Sequence, residues 1–250
     1  MIIVNADDFG KSTTTNRAIM QCFSEGVISS STILANMPFF EEACEMIFAV
    51  RLEERIGIHL NITEGQPLSD SIRQYSRFCD RDGNFRYGRS VRHILSAVER
   101  IALAKEFNAQ IERVRGRGLP ITHADSHHHV HTDPAIFSVL GPVLRQQRIH
   151  FVRLSLNAHR MPLVRRVLKF CFNAWIRSQG FHCTRYSGDL DSFVDARRLG
   201  RTTRSSFEIM VHPDLDSNSV VVDTVSMDRL MPKLRGALEN LVIRSYPLLT

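Results

Sequence analysis

Short runs of apolar residues alternate with helical stripes along this chain, and several of the runs end on residues that can do chemistry. Met1 to Ala6 is an apolar run rich in β-branched residues, broken only by Asn5, and it stops at Asp7-Asp8 and Gly10. Apolar residues then recur at Ala18, Ile19, Cys22 and Phe23 and close at Gly26, which predicts a helix over about 13–26. The pattern repeats as strand 27–35, helix 39–52, strand 56–61, helix 91–115, strand 120–124, helix 134–147 and strand 151–154. The last clear strand is 207–211, ending at His212-Pro213; a short apolar run at 220–225 and a helix near 227–241 have no fixed place. Near-continuous apolar strands separated by helices imply a parallel sheet covered by helices, open or closed. The reading adopted is α/β, a distorted (β/α) TIM-like barrel forming a single domain over 1–250, a length that one core can still support.

In a parallel sheet the C-terminal strand ends share one face, where sites are built. The ends here carry Asp7-Asp8, His59, the segment from His123 to His131, and His212. That segment holds five histidines and an aspartate in nine positions, and imidazole is the commonest metal ligand near neutral pH. His127, His129 and His131 alternate by two, so an extended backbone projects them to one side. Adjacent carboxylates point different ways, which lets one of the Asp7-Asp8 pair bind a metal while the other faces water or substrate. One carboxylate and two imidazoles leave coordination positions open, as a catalytic metal site requires. Metal-assisted hydrolysis follows, whereas Gly116-Arg117-Gly118 lacks the context of a dinucleotide loop and no nucleophile-elbow motif is present. Two rival readings remain at this stage: another metal-dependent hydrolase such as a phosphoesterase, and a non-catalytic sugar- or metal-binding protein.

These residues, in this order, resemble the YdjC-like carbohydrate deacetylases, the family of chitooligosaccharide deacetylase. The matching motifs are Asn5-Ala6-Asp7-Asp8-Phe9-Gly10, Gly57-Ile58-His59-Leu60, Thr122 to His131, and Glu208 to Pro213. The resemblance implies a distorted barrel, removal of acetyl from an N-acetylated sugar, and one divalent ion, Mg or Zn, on Asp8, His59 and His127. It also implies Asp7 as the general base on the attacking water and His212 as the acid on the departing amine. Asp125 is then a residue that orients a ligating imidazole, and His129 and His131 line the site or are structural.

The rest of the composition sets the surroundings. The formal charge of +6 comes from basic residues spread along the chain, which suggests a solvated surface rather than a nucleic-acid groove. Five cysteines without a C-x-x-C pair, a short apolar start and no 20-residue apolar run predict a reducing, cytoplasmic setting. The stretch 66–90 lacks periodicity and reads as a long loop of the kind that often covers a site. The variable region 155–204 contains a basic, aromatic, amphipathic stripe over 162–180. That stripe is expected to pack on the barrel rather than touch a membrane, and it or another apolar face could support a homodimer.

Overall fold

The computed structural model describes residues 1–88, 94–158, 161–202 and 205–247. Six parallel strands form one curled sheet in the order β4-β3-β2-β1-β6-β5. They are β1 (Ile2–Phe9), β2 (Ser30–Ile33), β3 (Ile56–Leu60), β4 (Ala124–Ser126), β5 (Tyr186–Gly188) and β6 (Phe207–Val211). Beyond β4 the backbone near Phe151 bridges in parallel to Ala124 on one side and to His182 on the other. The sheet therefore curls round toward β5, a parallel sheet as the alternating pattern predicted, with a curl that the pattern itself left open.

Helices α1 (Thr13–Ser24), α2 (Phe40–Ala49), α3 (Asp70–Arg73), α4 (Ala97–Gly116), α5 (Pro134–Gln146), α6 (Leu163–Ser178) and α7 (Leu190–Arg198) connect the strands. Helix α1 buries Ala18, Ile19, Cys22 and Phe23, the stripe read from the sequence. Its start is set by Ser12, whose side chain accepts from the Thr15 amide. Helix α4 starts with a reciprocal capping box between Ser96 and Glu99. Its expected start at Val91 lies outside the described residues. Helix α5 starts on Asp133, whose carboxylate accepts from the Ala135 amide, with Pro134 in the first turn.

The loop over 66–90 is more structured than its sequence suggests. Ile72, Phe78, Cys79, Phe85 and Tyr87 are buried, and the Tyr87 hydroxyl donates to Asp133 at 2.8 Å. None of its described residues lines the cavity at the strand ends, so it packs beside α4 rather than over the site. After β6 the chain forms an antiparallel ribbon of β7 (Pro213–Leu215) and β8 (Val221–Asp223), then α8 (Leu230–Leu238).

Strand period sets what faces inward. The register pairs Asn5 with Ser30 and with Met210, Thr32 with Gly57, and His59 with Asp125. One side of the curl is therefore a buried polar lining, and the other is the apolar core under the helices. Close approach inside that lining explains Gly57: a Cβ there would lie 2.5 Å from the His123 ring. His123 accepts no room for error, since it also stacks on Tyr246 with centroids 3.8 Å apart.

Candidate active site

Asp8 owes its position to a break in β1. The strand continues past the expected end at Ala6 to Phe9, but its register with β2 shifts between Ala6 and Phe9, and Asp8 has φ = +72°. A left-handed backbone at a non-glycine residue is strained and persists where the surroundings fix it. It lets Asp7 and Asp8 both face the same cavity.

Asp8 Oδ1 lies 3.2 Å from His59 Nε2 and 2.8 Å from His127 Nδ1. All three side chains are buried, and one donor atom from each falls within 4.8 Å of the other two. Neither imidazole aligns an N–H on Asp8 Oδ1, which is left without a hydrogen-bond partner. Three donors converging on one small volume, one of them an orphaned buried carboxylate oxygen, are what a divalent cation requires; the donor set fits Mg or Zn.

Behind the trio, a second layer fixes the ligand rings. His59 Nδ1 contacts Asp125 Oδ1 at 2.6 Å and Thr32 Oγ1 at 3.1 Å, so Nε2 is the nitrogen turned to Asp8. Burial opposes charge on His59, but Asp125 outweighs it and, with Asp8 and Asp7, pushes the ring up to about 10. Burial likewise raises Asp8, yet the flanking imidazoles hold its carboxyl well below the usual range. His127 Nε2 sits 3.3 Å from Glu64 Oε2, and His127 is raised: burial acts downward, but Asp8 and Glu64 act more strongly upward.

Asp7 belongs to a different network. Arg153, fully buried, places Nη1 2.6 Å from Asp7 Oδ2 and Nη2 2.7 Å from Oδ1, while Asn5 donates to Oδ1 at 2.8 Å. The same guanidinium reaches Asp125 Oδ2 at 2.7 Å and Glu208 Oε1 at 2.6 Å. Burial would raise Asp7, but Arg153 holds it far below the ordinary carboxylate value. His212 Nε2 stands 3.8 Å from Asp7 Oδ2, and the His212 amide donates to Asp223 at 2.8 Å. Asp7, Asp8, His59, His127 and His212 all line one cavity of about 420 Å³, rimmed by the loop after β8 and the start of α7. All five residues singled out in the sequence are thus brought together.

The histidine segment departs from the extended reading. Residues 127–132 form a tight helical turn in which His128 and His129 have φ of +50° and +55°. The two-residue alternation is lost: His127 reaches the trio, His129 lines the cavity wall, and His131 is buried with Nδ1 2.6 Å from Ser126 Oγ. Sequence reasoning missed Arg153 and Glu208. Each is a charged residue inside an apolar strand, which can be buried only with a partner of opposite sign, and that was the available signal.

Residues 1–241 match the family model described as YdjC-like protein. A Listeria monocytogenes serotype 4b protein named carbohydrate deacetylase is 30% identical over 216 residues, 85% of this chain and 80% of that one. Two more bearing that name, from Brevibacillus brevis and Geobacillus stearothermophilus, are each 38% identical, over 59% and 65% of this chain. Those two alignments span 57% and 63% of the relatives' own lengths. The crystal structure of an Enterococcus faecalis V583 protein, named for cellobiose-phosphate cleavage, superposes with a TM-score of 0.71 at 21% identity. It covers 98% of this chain and 97% of that one, a likeness of fold.

Proposed function

Because the chain belongs to the YdjC-like family, we propose that it is a metal-dependent carbohydrate deacetylase, hydrolysing the amide of an N-acetylated amino sugar. The observation that carries this is the convergence of Asp8, His59 and His127 beside Asp7 and His212 in one cavity. The names of its relatives supply the substrate class. The curled sheet is read as a distorted (β/α) barrel, one domain over 1–250, with the cavity at its C-terminal strand ends.

A divalent ion on Asp8, His59 and His127, Mg or Zn, supplies acidification of water and polarisation of the acetyl carbonyl. Everything else falls to the chain's own side chains. Asp125 keeps the His59 ring turned so that Nε2 faces Asp8. Asp7 stays ionised because Arg153 saturates one side of its carboxylate, and it receives the proton of the attacking water. His212, 3.8 Å from Asp7, protonates the amine as the C–N bond breaks. His129 contributes to the wall, and His131 holds the turn that presents His127.

The test is acetate release from N-acetylglucosamine oligomers by purified protein with added Mg or Zn, with chelator, and with Asp7→Asn alongside. Release that requires both the ion and Asp7 supports the reading. A folded, metal-loaded protein that releases no acetate from any N-acetylated sugar overturns it.

A further inference from the structure

Helix α6 turns its apolar stripe away from the protein. Leu163, Val164, Val167, Leu168 and Phe170 are between 51% and 72% exposed, whereas Asn173 and Ile176 are the residues this helix buries. Successive residues advance about 100° around a helix, so Leu163, Val164, Val167, Leu168 and Cys171 form one stripe. Arg165, Arg166 and Lys169 fall on the opposite side, with Asn173 and Ile176. The expected packing of this stripe on the barrel therefore holds only for the second half. There Phe172 and Trp175 meet Phe137 of α5 edge-on at 5.9 and 5.3 Å and anchor the helix, leaving its first two turns projecting.

Charge is concentrated in the same place. Between Asp133 and Asp189 the chain has no acidic residue but nine Lys and Arg, more than the whole formal net charge of +6. Arg153 is spent on the carboxylates of the site, but α6 itself carries Arg165, Arg166, Lys169 and Arg177 and no acidic residue. Beside α6, Arg166, Lys169, Phe170 and Arg177 line a groove of about 160 Å³.

These observations discriminate among partners. A second copy would bring a like-charged surface against this one. A nucleic acid would satisfy the arginines but leave five large apolar side chains in water. An anionic bilayer satisfies both, taking the apolar stripe below its headgroups and the cations at its phosphates. We propose that α6 is an in-plane anchor that docks this protein on anionic phospholipid membranes. No helix among the described residues is long and apolar enough to cross a membrane, so the contact is interfacial. Lys169 of this helix donates to the Leu156 carbonyl at 2.7 Å, and Leu156 lines the cavity, so docking through α6 takes place beside that cavity. The proposal stands independently of the deacetylase reading.

Co-sedimentation of the full chain with vesicles tests it, using phosphatidylcholine alone and a phosphatidylcholine–phosphatidylglycerol mixture. The variants are Leu168→Asp with Phe170→Asp, and Arg165→Glu with Arg166→Glu, all at exposed positions; unchanged circular dichroism and melting confirm that they fold. Wild type should pellet with the mixed vesicles, lose binding at raised salt, and bind the neutral vesicles at least about tenfold more weakly. Each double variant should weaken binding to the mixed vesicles by a similar factor. Failure to pellet, equal binding to both vesicles, or undiminished binding by either variant overturns the proposal. So does a stable dimer that Leu168→Asp with Phe170→Asp dissociates, or retention by duplex DNA in place of vesicles.

Discussion

Arg153 grips Asp7 with both guanidinium nitrogens, at 2.6 and 2.7 Å, and holds Asp125 and Glu208 with the same side chain. One cation thereby orients both the carboxylate that faces His212 and the carboxylate that steers His59. Glu208 is raised, burial being the cause that Arg153 only partly offsets. Arg153→Met should strand three buried carboxylates and cost about 3–5 kcal/mol, measured by urea denaturation. Arg153→Lys should recover only part of this, because a single ammonium cannot replace the two-nitrogen fork.

Asp125→Asn keeps the shape beside His59 while removing the charge that polarises its ring. Metal affinity should fall by about 10- to 100-fold, read by titrating Zn into chelator-treated protein, with the fold retained. Unchanged affinity would mean that Asp125 serves the buried network alone.

His59 predicts a pH signature. Its folded value near 10 lies above the ordinary 6.5, so the protonated ring contributes stability that is complete below about pH 6.5. That contribution is lost as pH rises through about 10, and the raised value of His127 acts with the same sign. A cation on the trio displaces the proton. Chelator-treated protein should therefore melt progressively lower between pH 7 and 10, while metal-loaded protein holds its Tm over that window; calorimetry on both forms decides.

Gly57→Ala adds a methyl 2.5 Å from the His123 ring, on which Tyr246 is also stacked. Overpacking should cost at least about 1–3 kcal/mol in denaturation and, because Gly57 is two residues from His59, weaken metal binding as well.

His212→Ala should reduce acetate release by about 10²- to 10⁴-fold while leaving metal stoichiometry unchanged, as removal of a general acid does. Full turnover by this variant would assign the proton to another group.

Much of this site was legible because chemistry sits at strand ends. Parallel apolar strands suffice to place Asp7, Asp8, His59 and His212 at one end of the sheet, whereas the entry of both Asp7 and Asp8 into one cavity depends on the left-handed backbone at Asp8, which a two-residue period does not give. The histidine segment was misread because period-two reasoning assumes extended backbone, and the left-handed conformations at His128 and His129 are not encoded by a glycine. Arg153 and Glu208 were missed for another reason: they pair across 55 residues of sequence, and only the curled sheet brings them together. The stripe of α6 shows the limit of amphipathicity itself. A helical pattern tells which residues share a side, but whether that side turns inward depends on what Phe172 and Trp175 find to pack against.

The central place of β1 has a consequence for biosynthesis. This strand is synthesised before the other five of its sheet, and β2 can join it early, but its other neighbour, β6, begins at Phe207. At translation rates of about 5–20 residues per second, one edge of this central strand waits roughly 10–40 s for its partner. Through that interval the nascent chain exposes an unpaired edge that invites pairing with other chains. Folding yield in the cell should then depend on how well that edge is shielded during synthesis.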